Sequence, residues 1–129
     1  MRGLIGKKIG MTQVFSDNGS LIPVTIVEAG PCVVTQVKTK TNDGYDAVQV
    51  GYSELKDKHS NKAQSGHFNK ASVKAKRFLA EFNTVSNYDY KTGQEFGVSL
   101  FKEGELVSVT GRSKGRGFSG VMKRHGFGG

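Results

Sequence analysis

A single cysteine, Cys32, is all the thiol this 129-residue chain has, so it can form no intrachain disulfide and no cysteine-built metal cluster. Cys32 lies in the apolar run Pro31-Cys32-Val33-Val34, where a small buried side chain and a reducing compartment are expected. Proline is nearly as scarce, with 2 residues. No apolar run approaches the roughly 20 residues of a membrane-spanning helix. Lys7 and Lys8 interrupt the stretch where a secretory signal would need an unbroken apolar segment, so a soluble, intracellular chain is expected. Hydrophobic residues make up only 36% of the chain, and its 18 glycines fill no core, so the expected core is modest and built from Val, Ile, Leu and Phe.

Acidic residues are missing where basic ones gather. Of 19 Lys and Arg, 15 lie in residues 1–10, 55–80 and 111–129, and these stretches hold one acid, Asp57. The net charge of +8 is therefore segregated into positive fields that a polyanion would cover, as on nucleic-acid-binding proteins. Arg2, Lys7 and Lys8 form the first field, with Gly3, Gly6 and Gly10 keeping the backbone lean. Lys56, Lys58, Lys62, Lys70, Lys74, Lys76 and Arg77 form the second. Arg112, Lys114, Arg116, Lys123 and Arg124 form the third, in a tract where seven of the ten residues 111–120 are Gly, Lys or Arg.

One domain of short strands is expected. Residues 1–53 and 78–110 supply the strands, 54–77 a basic loop and short helix, and 111–129 a basic extension. Met11–Phe15 and Leu21–Glu28 flank Asn18-Gly19, a tight-hairpin signal. Val33–Lys38 and Tyr45–Tyr52 alternate apolar residues around a second hairpin at Asp43-Gly44. Glu54–Gly66 reads as a surface loop, and Lys70–Arg77 as a short helix with Asn69 as its N-cap. Phe78–Val85, Phe96–Phe101 and Glu105–Thr110 complete the strands, with a turn at Lys91-Thr92-Gly93. Pro23 suits an edge strand or a bulge.

Enzymatic motifs occur in the tract only as fragments. Gly111–Gly115 spells G-x-S-x-G around Ser113, but no carboxylate follows Glu105 to complete a hydrolase triad. Gly115–Gly120 spells G-x-G-x-x-G, yet the chain offers no following βαβ unit or ribose-binding acid. A phosphate-binding loop of the NTPase type is absent. His59, His67 and His125 lack metal-ligand spacing and read as surface or RNA-facing, while Glu103 and Glu105 flank a turn and strand. No cofactor, metal or small-molecule substrate is expected. The tract's physical offer is different: Gly115 and Gly117 let backbone amides approach phosphate, and arginines grip phosphate bidentately. Phe118, Phe127 and His125 can stack on bases. Such a composition cannot fold alone, so RNA is expected to order it.

Four segments resemble the bacterial L-three family of large-subunit ribosomal proteins. They are Gly3–Thr12, Asn42-Asp43-Gly44-Tyr45, Gly66-His67-Phe68 and Val109–Phe118 with Lys123-Arg124, in order along the chain. The resemblance implies a mainly β fold: a translation-factor-like barrel with an inserted α/β segment and a basic, Gly-rich extension threading into ribosomal RNA. It also implies large-subunit ribosomal RNA and neighbouring ribosomal proteins as partners, a ribosomal location (cytoplasmic or organellar), a part in subunit assembly, and support for the RNA around the peptidyl-transferase centre. An extraribosomal regulatory module binding RNA or DNA is the rival expectation. Ser108 stands where the family usually has Asp, a minor loss. Family members continue beyond the point matching Gly129 to an extension tip and closing strands. No tip residue can be carried over, and the chain is expected to be either an incomplete stretch of a longer protein or a truncated chain with an unfinished sheet.

Overall fold

The computed structural model describes residues 3–84 and 89–129. The fold is mainly β, with six strands among the described residues, β1 (Gly6–Phe15), β2 (Leu21–Ala29), β3 (Cys32–Lys38), β4 (Ala47–Glu54), β5 (Lys76–Asn83) and β6 (Glu95–Phe96). Three α-helices among them, α1 (Lys40–Asp43), α2 (Lys62–Lys70) and α3 (Val121–His125), are interspersed.

Strands β1 and β2 form a separate antiparallel ribbon, while the other four make one curled, half-barrel sheet in the order β5-β4-β3-β6. The ribbon turns where Asn18-Gly19 foretells it: Gly19 has φ 74° and its N–H donates to the Ser16 carbonyl at 2.8 Å. A register shift between Lys8 and Gly10 bulges the first strand, and Pro23 sits within the ribbon opposite Gln13. Both faces of the ribbon are exposed, including Ile9, Met11, Phe15, Leu21 and Ile26, so the half-burial expected of β2 is not met. No second layer among the described residues covers it.

The sheet carries the core. Opposed pairs Cys32↔Tyr52, Val34↔Val50 and Val37↔Val48 line one face, with Tyr90, Phe82, Phe96, Leu4 and Ile5 packed against it. A bulge between Val34 and Gln36 keeps this alignment, because it moves Val37 rather than Gln36 opposite Val48. Val34, Val48 and Val50 are fully buried, each contributing roughly 1.5–3 kcal/mol by leaving water. Cys32 is buried too, and its thiol donates to the Ile5 carbonyl at 3.4 Å.

Several local expectations are corrected. The β3–β4 connection is a hairpin, but its turn is the helical turn α1, closed by Gly44 at φ 83°. The helix of the basic insert spans Lys62–Lys70 and is capped by Asn61, not Asn69; it occupies part of the segment that reads as a loop. Lys76 and Arg77 instead open β5, because their backbone pairs with β4. Val85, at the end of the strand expected there, lies outside the described residues. Of Phe96–Phe101 only Phe96 is strand, ending the short Glu95–Phe96 pairing, after which Val98–Leu100 coils into a 3-10 turn. Glu105–Thr110 is not a strand: no described strand pairs with it, and Leu106 is wholly exposed.

A polar network fixes the solvent side of the sheet. Lys38 Nζ lies 2.7 Å from Glu81 Oε1 and donates to the Tyr45 hydroxyl, which donates to Glu81 Oε2 at 2.8 Å. These partners hold the Glu81 carboxyl below the usual carboxylate range, chiefly through the Lys38 hydrogen bond and then through Tyr45, and they raise Lys38. For Glu81 the folded value lies below the unfolded one, so its stabilisation is present above the ordinary carboxylate range and is lost as pH falls through the folded value. Glu81→Gln is therefore expected to lower Tm modestly at neutral pH, since partly exposed pairs contribute little. The difference from the parent chain should vanish as acid protonates Glu81; melting curves across pH check this, and a pH-independent difference would contradict it.

Candidate nucleic-acid interface

The basic residues named from sequence fall on three separate parts of the fold. Lys7 and Lys8 are exposed on β1, opposite Glu28 and Val27, so a carboxylate shares the first field. Arg2 lies outside the described residues.

The second field surrounds α2. Polar almost throughout, this helix forms because Asn61 caps it reciprocally: the Asn61 side chain accepts from the Gln64 N–H at 2.7 Å, and Gln64 Oε1 accepts from the Asn61 N–H at 3.3 Å. Its one buried residue is Phe68. Lys56 and Lys58 are exposed before it, Lys70 ends it, and Lys74 follows in the connector. Lys74 is not wholly uncommitted: its ammonium lies 3.8 Å from Glu54, an exposed pair. Lys76 is half-buried, its stem packed where a Cβ on Gly51 would stand 2.7 Å away. Arg77 is exposed and stacks over Phe78 at 5.3 Å.

His67 corrects its surface reading. It is half-buried on α2 and its Nε2 lies 2.8 Å from Gln49 Oε1, which also accepts from Thr35 Oγ1 at 2.9 Å. Since Gln49 Oε1 can only accept, His67 donates through Nε2, and the ring pins the helix to the sheet. Sequence reasoning passed over Gln49, Thr35 and Glu81. Alternation along β4 placed Gln49 opposite the core face, which was the available signal.

The third field is the freest. From Gly111 to Gly117 the chain has no regular structure, and Arg112, Ser113, Lys114, Gly115, Arg116 and Gly117 are all exposed. Gly117 takes φ 68°, and Phe118 beside it is wholly exposed. Lys123, Arg124 and His125 ride on α3, a helical turn closed by Gly126 at φ 66°. There Arg124 N–H donates to the Gly120 carbonyl and Gly126 N–H to that of Met122, both at 3.0 Å. The cations at its C-terminal end are also favoured by the local backbone dipoles. No acid lies between Glu105 and Gly129, and the tract forms no ion pair with the described residues.

Among the described residues no cluster of His, Cys, Asp or Glu could hold a metal, and no helix is long and apolar enough to cross a membrane.

No family model matches the chain. Curated relatives do. It is 55% identical over 127 residues to the large ribosomal subunit protein uL3 of Carboxydothermus hydrogenoformans, covering 98% of this chain and 60% of the relative. It is 51% identical over 129 residues to the uL3 of Cutibacterium acnes, covering 100% and 58%. With the uL3 of Lysinibacillus sphaericus the identity is 54% over 125 residues, covering 97% and 60%. These matches make the chain similar to proteins of the large ribosomal subunit. Over nearly its whole length it is similar to uL3 proteins, as the sequence motifs led one to expect, and it matches their N-terminal and central portion. The chain spans about three fifths of the length of the curated relatives it matches.

Proposed function

We propose that this chain serves as a structural constituent of the large ribosomal subunit and binds large-subunit (23S-type) ribosomal RNA directly. On this reading it supports subunit assembly and the RNA surrounding the peptidyl-transferase centre, beside neighbouring ribosomal proteins. The carrying observation is the segment Gly111–His125, extended or barely helical, exposed along nearly all its length and free of acid. Five cations on a backbone exposed along nearly all its length form a polyanion grip, not a surface patch of a folded domain. Glycines at 111, 115, 117 and 120 let phosphates approach the main chain. Lys7, Lys8, Lys56, Lys58, Lys70 and Arg77 add weaker contacts from the body. His67 and Lys76 act more through the fold than through direct contact. The rival extraribosomal role has no observation of its own behind it.

Binding of the chain to large-subunit ribosomal RNA, measured over a series of salt concentrations, tests the reading. If the five tract cations each neutralise a phosphate, log K against log salt should fall with a slope of about −4 or steeper. A flat response, or equal affinity for arbitrary duplex DNA, would defeat it.

A further inference from the structure

We infer that the groove between the end of β4, helix α2 and the connector into β5 is a nucleotide subsite, taking one unstacked RNA base and its adjoining phosphate. The inference rests on the proposed RNA-binding role and assigns it a second, distinct point of contact.

The groove has a volume of about 560 Å3, within the range of small-ligand sites. Apolar side chains make up part of its lining: Phe68 is buried, and Leu55 and Val73 are half-buried. A base needs such a surface, since unstacking costs it an aromatic neighbour that only apolar contact can replace. Ser65 and Asn69 add polar groups from α2. The Asn69 amide is exposed and makes no hydrogen bond to another described residue, although Asn69 lies within a helix whose own cap is made elsewhere. An amide carries a donor and an acceptor side by side, which is the pattern that a base edge presents in return.

Lys56 and Lys74 are exposed on the rim, with Lys58 and Lys70 nearby in the chain. Glu54 opposes them, but its contact with Lys74 is long, at 3.8 Å, and solvated on both sides. A phosphate can replace so weak a partner. The backbone gives independent support. The two non-glycine residues with positive φ among those described are Ser53 (60°) and Ser72 (54°), immediately before the lining residues Glu54 and Val73. Unfavourable backbone of this kind gathers where a site must be shaped. Charge selects the occupant: a neutral or basic peptide would leave the rim lysines uncovered, and an A-form duplex keeps its bases stacked out of reach.

The test uses the whole chain and a short single-stranded adenine-rich RNA, followed by NMR and by anisotropy titration. Amide signals of Ser65, Asn69 and Val73 are expected to move on titration, and much less with the matching duplex. Asn69→Ala should weaken binding of the single strand roughly three- to tenfold, through removal of a hydrogen-bonding amide, without changing the melting curve or the salt slope. Lys74→Ala should reduce the slope by about one. Unchanged affinity in Asn69→Ala, silent groove amides, or equal shifts with duplex would overturn the inference; a protein neighbour as the true occupant would produce the first of these. The alanine triple variant of Arg112, Lys114 and Arg116 is titrated alongside with ribosomal RNA. Weakened binding there with a silent Asn69→Ala removes the groove and leaves the functional reading intact; the reverse pattern removes the tract and leaves the groove.

Discussion

Replacing Arg112, Lys114 and Arg116 together by alanine is expected to lower affinity for large-subunit ribosomal RNA on the order of a hundredfold, taking about 1 kcal/mol for each of the exposed cation–phosphate pairs removed. The salt slope should flatten by roughly three in the same variant, one for each cation removed. The fold should not notice. All three residues are exposed in a segment without strand or helix, and none takes part in an ion pair with the described residues. Circular dichroism and the melting temperature should therefore match the parent chain. That separation gives the prediction its force, because a mutation that weakens binding by unfolding the body would move both readouts. If ribosomal RNA binding stays within about twofold of the parent, the tract does not grip the RNA.

The second large effect concerns stability. Gly30→Ala is expected to destabilise the chain by roughly 2–6 kcal/mol, the sum of two named penalties. Gly30 has φ 74°, a left-handed conformation that an alanine adopts only under strain. Its Cβ would also stand 2.7 Å from the Phe96 carbonyl oxygen and 3.1 Å from Gly97 Cα, both backbone atoms that cannot swing aside. Phe96 belongs to β6, which pairs with β3 at Cys32, so relieving the clash would pull β6 away from the core strand. Thermal melting should show a fall of order 10 °C or more. Gly10→Ala is the control: φ there is not positive and a Cβ meets nothing within 4 Å, so its effect should be small. Comparable destabilisation in the two variants would mean that the Gly30 surroundings are not what matters.

How far the fold could be read from sequence depended on whether local chemistry decided the outcome. The Asn18-Gly19 turn, the alternation of Val48, Val50 and Tyr52, and the burial of Cys32 were legible, because turn geometry and period-two patterning are properties of the segment itself. Helix α2 was hidden because it has no apolar period; Phe68 alone is buried. Its signal was the reciprocal cap Asn61-x-x-Gln64, which outweighs a polar composition at a helix start. Glu105–Thr110 failed in the opposite direction. Leu106 and Val109 gave it some of the hydrophobicity of a strand, but a strand exists only with a partner, and none of the described residues offers one.

The site divides the same way. Charge segregation marked Arg112–Arg124 directly, since an exposed acid-free tract needs no tertiary context to be recognised. The insert was harder to apportion. Lys74 and Lys76 read as equivalent to Lys56 and Lys58, yet one contacts Glu54 and the other lays its stem on Gly51. His67 read as exposed because nothing along the chain announces Gln49, 18 residues away, as its acceptor.

The open ribbon of β1 and β2 makes colloidal behaviour and nucleic-acid affinity depend on one variable. Apolar side chains on both of its sides, Ile9, Met11 and Phe15 among them, form the kind of surface through which unprotected chains aggregate. Mutual repulsion between copies carrying a charge of +8 holds them apart in dilute buffer. Added salt screens that repulsion over a distance that shrinks from about 30 Å at 0.01 M to about 8 Å at physiological strength. If the tract binds RNA as proposed, the salt that weakens that binding also removes the barrier to precipitation.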